Sequence, residues 1–267
     1  MRPLGFGKYE GAGNDFLLVE VETETSVSPE DATKLCDRHF GVGGDGVLLV
    51  LPAAKSGRRA RMVVLNADGS RPEMCGNGLR CVALLLAEKD GVDQAEYVLE
   101  TDAGDRAARV ERRGAVASVT LGMGVGKLGG TRRFEVKGRE QDFLDVRMGN
   151  PHAIAFVHGV STAELDVFGP EISHHTPGGT NVEVVSARSS GGFSVLVWER
   201  GVGRTLACGT GAAAVAVAAA TTGRAPFDRP MVVELPGGEL RLTVAEGSLD
   251  VTLEGPARHV FSGQVGA

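Results

Sequence analysis

Two short segments of the chain set a cysteine ahead of two glycines and a small polar residue: Glu73-Met-Cys75-Gly-Asn77-Gly-Leu-Arg80 and Leu206-Ala-Cys208-Gly-Thr210-Gly-Ala-Ala213. A strand-like segment precedes each, and an apolar stretch with helical character follows, over roughly 78–89 and 211–222. Each cysteine therefore stands at a helix start, where backbone N–H groups lack intrahelical partners and about half a positive charge collects. Such an end receives an anion, and Gly76, Gly78, Gly209 and Gly211 let a ligand come close to the backbone. The same field is expected to lower a thiol pKa from about 8.5 toward neutrality, which makes the cysteine usable as a base. The motif is an acid/base group fused to a carboxylate cradle, and it occurs twice. Two thiols facing one carbon beside a carboxylate can invert it, one thiolate removing the α-proton while the other thiol delivers a proton to the opposite face. The cradle stabilises the charge that builds on the carboxylate oxygens, so the chemistry requires no metal, pyridoxal or nicotinamide.

The elements that would position these cysteines also repeat. From Cys75 to Cys208 the offset is 133 residues. An apolar run, Met62–Leu65, delivers Asn66 nine residues before Cys75, and Val195–Trp198 delivers Glu199 nine residues before Cys208. Upstream, Gly13-Asn14-Asp-Phe16 matches Gly149-Asn150-Pro-His152, and downstream each helix is followed by a strand pair with a turn, around Tyr97–Gly104 and Val232–Gly238. Four features in one order point to an internal duplication. The halves meet at the glycine-rich stretch 122–130, expected to interrupt regular structure. Residues 1–122, with 258–267 a candidate to complete them, form the half carrying Cys75, and 123–257 form the half carrying Cys208. Strands are expected at 15–21, 46–51, 61–65, 97–101, 116–121, 143–148, 152–157, 193–198, 231–235, 240–244 and 249–253. A surface helix starts at Ser28 as N-cap with Pro29 in its first turn and runs to Gly41, with Ala32, Leu35, Cys36 and His39 on one face. The helices behind the two cysteines are apolar all round and so belong inside. The pattern is a mixed α/β (α+β) fold of two pseudo-symmetric domains, each a strand-rich, barrel-like sheet wrapped around one buried helix.

Glycine is abundant, 39 of 267 residues, which calls for many tight turns and hence many short strands. A formal net charge of −6 with no Lys/Arg-rich run excludes a phosphate-backbone partner. Residues 1–13 lack the apolar core of an export signal, and the longest apolar run, Ala212–Ala220, is too short to span a bilayer, so a cytoplasmic protein is expected. Four cysteines do not make a disulfide scaffold, and Cys36 and Cys81 read as core packing. Two other classes compete: a zinc or redox protein, for which no Cys-x-x-Cys exists, and a non-catalytic amino-acid-binding module that uses the cradle alone. His39, His158, His174, His175 and His259 belong to no constellation, and Asp15 and Asp45 read as turn caps rather than usefully ionised groups.

From Gly11 to about Gly255 the chain resembles the diaminopimelate epimerases. The motifs that carry the resemblance are Gly11-Ala-Gly-Asn14-Asp15-Phe16, Asp37-Arg-His-Phe-Gly-Val-Gly-Gly-Asp45-Gly46, Asn66-Ala-Asp-Gly-Ser70, Met74-Cys75-Gly-Asn77-Gly, Gly149-Asn150-Pro-His152, Thr180-Asn181-Val-Glu183, Glu199-Arg200-Gly and Ala207-Cys208-Gly-Thr210-Gly. Proline racemases share the two-cysteine plan but read Cys-Gly-His where this chain has Cys75-Gly76-Asn77. The resemblance implies interconversion of LL- and meso-diaminopimelate, a step toward lysine and peptidoglycan, without a cofactor and in a homodimer; the alternative is another amino acid as substrate of the same two-cysteine plan. It implies that Cys75 and Cys208 are the acid/base pair, with Gly76, Asn77, Gly209 and Thr210 at the reacting carboxylate. Asn14, Asn66, Asn150, Asn181 and Arg200 would read the distal amino-carboxylate, Arg200 as a bidentate clamp. His152 and Glu199 would lie near the thiols and tune them, Glu199 also bordering the substrate. The chain departs from relatives at Gly46, where some carry glutamine, and at Arg204, where many carry glutamate.

Overall fold

A computed structural model describes residues 4–136 and 138–266. They fall into two compact units, one running to Leu121 and resuming at Gly255, the other Gly122–Glu254. The outermost residues of the expected N-terminal domain, 1–3 and 267, lie outside the described residues.

The first unit is a closed barrel. Its strands are β1 (Leu4–Gly11), β2 (Asn14–Glu20), β3 (Gly46–Leu51), β4 (Ala60–Asn66), β5 (Gln94–Thr101), β6 (Gly104–Arg113), β7 (Val116–Val125, as far as Leu121) and the C-terminal strand β16 (Asp250–Val265, from Gly255). They pair in that order, and β1 also pairs with β16 from Leu4↔Val265 to Glu10↔Arg258, so the sheet has no free edge. Helix α2 (Gly76–Asp90) touches β1 through β6 and buries residues of every face, including Leu79, Cys81, Val82 and Leu84. Gly91, left-handed at φ 66°, ends it.

Outside lies α1 (Pro29–Cys36), started by a capping box in which Ser28 and Asp31 serve each other's backbone N–H. The helix stops five residues short of the expected Gly41. Asp37 Oδ1 accepts the N–H groups of His39 and Phe40 and draws the backbone into a turn, which leaves His39 exposed rather than on the buried face. Cys36 is buried against Leu17, Val47 and Leu49, as expected.

The second unit contains β8 (Lys127–Val136), β9 (Arg139–Met148), β10 (Asn150–Phe156), α3 (Thr162–His175), β11 (Asn181–Ala187), β12 (Phe193–Glu199), β13 (Gly203–Thr205), α4 (Gly209–Thr221), β14 (Met231–Leu235), β15 (Gly238–Val244) and the start of β16. Its strand order is β16-β15-β14-β12-β11-β10-β9-β8, with β13 beside β12. Helix α4 is Ala and Val from Ala212 to Ala220, every one of them buried, and it touches β9, β10, β11, β14 and β15.

Both units connect their elements alike. In the first, β2 runs parallel to β3 across α1, β4 returns antiparallel, α2 follows, and β5 and β6 form a hairpin. In the second, β10 runs parallel to β11 across α3, β12 returns antiparallel, α4 follows, and β14 and β15 form a hairpin. Gly13 and Gly149 close equivalent turns at φ 84° and 83°, a conformation that favours glycine.

The expected break at 122–130 is not there. Strands continue to Val125 and resume at Lys127, and β8 accommodates Gly129 and Gly130 as an irregularity in its register with β9. Strands β1, β6, β8, β11 and β13 and helix α3 escaped the sequence pattern, and β16 runs to Val265. For α3 the signal was present: Ser161 accepts the Glu164 N–H as N-cap, and Leu165, Phe168 and Ile172 are its buried stripe.

Candidate active site: two cysteine-capped helix starts

In the first unit the starts of β2 and β3 and the end of β4 share one rim of the barrel, where Phe16 pairs with Gly46 and Gly46 with Asn66. The start of α2 reaches that rim. Cys75 is the N-cap, at φ −135° and ψ 110°, and its Sγ accepts the Gly78 N–H at 3.3 Å. Asn77 Nδ2 donates to Asn14 Oδ1, and Asn14 Nδ2 donates to Asp45 Oδ2 at 3.0 Å. Asn66 Nδ2 donates to Ser70 Oγ at 2.9 Å within the turn that leads toward Cys75. The structure thus gathers Asn14, Asn66, Cys75, Gly76 and Asn77 at one end of this unit.

Behind them stands an ionic cluster that corrects the reading of Asp15 and Asp45 as mere turn caps. Arg38 makes a bidentate pair with Asp15, at 3.0 and 2.6 Å, and also reaches Asp45 at 2.9 Å, while Lys8 pairs with Asp15 at 2.5 Å. Burial alone would raise the Asp15 pKa, but the bonds from Arg38 and Lys8 outweigh it and bring it down to about 2. Short acidic side chains beside glycine or asparagine resemble turn residues in sequence, because their cationic partners lie 7 to 23 positions away.

In the second unit the starts of β10 and β11 and the end of β12 form the corresponding rim, with His152 opposite Asn181. Cys208 caps α4 at φ −127° and ψ 109°, and its Sγ accepts the Gly211 N–H at 3.3 Å. Glu199, at the end of β12, acts on Cys208 through its charge and accepts from Thr205 Oγ1 at 2.6 Å. A chain of polar contacts runs from Cys208 to Thr210 Oγ1 (3.4 Å), Asn150 Nδ2 (3.4 Å), then from Asn150 Oδ1 to His152 Nε2 (3.0 Å), and from His152 Nδ1 to Glu183 Oε1 (2.7 Å). Asn181 Oδ1 accepts the Arg200 N–H at 2.8 Å, and Arg200 Nη1 donates to the Gly178 carbonyl at 2.7 Å. The Arg200 side chain lines an open cavity of about 910 Å³ with Trp198 and the end of α3. Asn150, His152, Asn181, Glu199, Arg200, Cys208, Gly209 and Thr210 therefore share one end of this unit.

Glu183 received no role from sequence, although it is fully buried and within range of both Cys208 and Glu199. Its signal was a lone acid in the otherwise apolar strand Asn181-Val-Glu-Val-Val. The expectation that the helix start lowers both thiol pKa values fails at Cys208. Burial, followed by the charges of Glu199 and Glu183, pushes this thiol well above its ordinary value, against the opposing bonds from Thr210 and Gly211. Burial and Glu183 also hold the Glu199 carboxyl above the usual range.

The two departures have local explanations. A Cβ at Gly46 would stand 2.8 Å from the Leu65 carbonyl oxygen, so the close β3–β4 pairing leaves no room for a side chain there. Arg204 makes a half-exposed ion pair with Asp166 of α3 at 3.2 Å. Among the described residues no helix is long and apolar enough to cross a membrane.

The fold is shared with a solved epimerase. The hydroxyproline epimerase of Agrobacterium vitis superposes with a TM-score of 0.72 at 19% identity, covering 99% of this chain and 91% of that one. Sequence carries the assignment further. The diaminopimelate epimerase family matches residues 6–137 and 145–260, and the chain belongs to that family. It is 43% identical to the diaminopimelate epimerase of Synechococcus elongatus over 280 residues, 98% of each protein, and 40% identical to diaminopimelate epimerase 1 of a Nostoc species over 279 residues, 97% of this chain and 99% of the relative.

Proposed function

We propose that the chain is a cofactor-independent isomerase that interconverts LL- and meso-2,6-diaminopimelate, with Cys75 and Cys208 as its acid/base pair. The observation that carries this reading is the duplicated helix start, one cysteine N-cap with a following Gly-polar-Gly in each unit, in a chain of this family. Cys75 as thiolate takes the α-proton of the LL isomer, and Cys208 as thiol delivers a proton to the opposite face. Its raised pKa suits Cys208 to that donor role in the LL-to-meso direction. The backbone N–H groups at Gly76, Asn77, Gly209 and Thr210 receive the reacting carboxylate and the charge that grows on it. Asn14, Asn66, Asn150, Asn181 and Arg200 read the distal amino-carboxylate, whose donors and acceptors match amide groups and a guanidinium fork. Glu199, whose charge acts on Cys208, and His152, three contacts from that sulfur through Thr210 and Asn150, tune the thiol. The setting is cytoplasmic, in lysine and peptidoglycan precursor synthesis, and the working form is a homodimer, as the family resemblance suggests for both.

Deuterium labelling tests this reading. In deuterated solvent, starting from LL-diaminopimelate, the product carries label in its first turnover while recovered substrate stays unlabelled, because the proton held by Cys75 returns only to the face it left. Initial-rate mass spectrometry of both isomers reads the outcome. Substantial transfer of the original hydrogen into product would defeat the two-cysteine mechanism.

A further inference from the structure

Helix α2 carries one permanent charge into the barrel. Arg80 has no solvent exposure and, among the described residues, no carboxylate partner. Its Nε donates to the Pro256 carbonyl at 3.0 Å, its Nη2 donates to Asn77 Oδ1 at 3.0 Å, and its Nη1 is buried with no hydrogen-bond partner. A guanidinium keeps its proton in a protein, and a buried cation served only by neutral acceptors is costly unless an anion stands close.

Among the described residues, the titratable groups whose charge bears on it are Cys81, Cys75 and Glu10. Glu10, on β1, already pairs with Arg258 at 3.4 Å and accepts the Gly13 N–H at 3.3 Å. Cys81 is fully buried, and burial drives its thiol up, so it stays neutral. The nearby acids of β2 and the loop before β3, Asp15 and Asp45, are matched by Arg38 and Lys8. Cys75 remains, half-buried at the rim with the Gly78 N–H on its sulfur. The second unit is built the other way. The position equivalent to Arg80 is the buried Ala213, and the charges near Cys208 are the carboxylates Glu183 and Glu199.

We propose that Arg80 is a positioning residue for charge, the buried cation that holds Cys75 as the resting thiolate while the carboxylates near Cys208 keep that sulfur a thiol. The inference rests on the two-cysteine reading above and adds the group that fixes which sulfur starts as the base. Arg80 acts through Cys75 and through Asn77, whose amide it orients.

The test follows each cysteine separately. Wild type, Arg80→Met and Arg80→Lys are alkylated with iodoacetamide across pH, and peptide mass spectrometry gives a midpoint for Cys75 and for Cys208. Midpoints report protonation even though Cys208 is the more buried sulfur and reacts more slowly. In wild type Cys75 titrates below the ordinary thiol value of about 8.5 and Cys208 above it. In Arg80→Met the Cys75 midpoint rises by about one pH unit or more, roughly a tenfold loss of thiolate at neutral pH, while Cys208 holds. Arg80→Lys restores the charge and most of the midpoint, a rescue that a purely packing role would not give. A wild-type Cys208 midpoint below that of Cys75 would overturn the proposal without any variant, and so would an unmoved Cys75 midpoint in folded Arg80→Met. If the alkylation results hold but the protein does not epimerise diaminopimelate, the functional reading falls and the role of Arg80 stands; the reverse pair of results separates them the other way.

Discussion

Gly78 and Gly211 hold equivalent places in the two helix starts, each giving its N–H to a cysteine sulfur, yet replacing them with alanine should have unequal effects. A Cβ at 78 would stand 2.9 and 3.1 Å from the two methyls of Leu48 and 3.5 Å from Cys75 Sγ. Methyls can give way by a small rotation costing about 1 kcal/mol, which the helix propensity of alanine over glycine, up to about 1 kcal/mol, offsets. Gly78→Ala is therefore near neutral. A Cβ at 211 would stand 2.7 Å from Glu183 Oε1 and 3.3 Å from Cys208 Sγ. That carboxylate oxygen cannot move without leaving its 2.7 Å contact with His152 Nδ1, and both side chains are fully buried. Losing a charged hydrogen bond there costs about 1.5–3 kcal/mol, so after the propensity gain Gly211→Ala is destabilised by about 1–2 kcal/mol. At this chain length that is a fall of about 2–8 °C in the apparent unfolding midpoint. Scanning calorimetry of both variants, with epimerisation rates beside it, reads the difference. Equal midpoints, or Gly211→Ala as stable as its parent, would refute the idea that the buried Glu183–His152 pair determines the space beside Cys208.

Activity needs one thiolate and one thiol, so the rate should follow a bell in pH whose values belong to the pair. Glu199 is one of the charges that raise the Cys208 thiol, hence Glu199→Gln should move the alkaline limb of that bell downward by about one pH unit; a limb that stays or moves up contradicts the assignment. Asp15 has its pKa brought from 3.8 to about 2, so its stabilisation is complete above 3.8 and disappears as pH falls through about 2. Asp15→Asn should lose about 1 kcal/mol at pH 7, allowing for solvent screening of a partly exposed group, and match its parent below pH 2 in denaturant titrations. Gly46→Gln, which introduces the side chain some relatives carry, should cost about 1–3 kcal/mol because its Cβ meets backbone at Leu65, and an unchanged denaturation midpoint would show that β3 and β4 can part.

What is local or repeated in this protein was legible in its residues alone. The duplication, both cysteine-capped helices, the Ser28 N-cap and the strands with continuous apolar runs all follow from period, composition and spacing, and spacing survives folding unchanged. Where the pattern was weak, pairing decided. β6 and β8 carry many charges or glycines, and they are strands because β5, β7 and β9 supply partners for their backbone groups. The length of α1 was settled by one side chain, Asp37, competing for the backbone at its end. The charges of the site were the least legible. A helix start argues for lowered thiol pKa values at both cysteines, but the pKa of Cys208 is set by burial and by Glu183 and Glu199, 25 and 9 positions away in the chain. Arg80 lies five residues from Cys75, but its sequence position does not reveal that it is sealed inside a barrel with no carboxylate bonded to it among the described residues. Burial and long-range approach set electrostatic strength, and both exist only once the strands have closed around the helix.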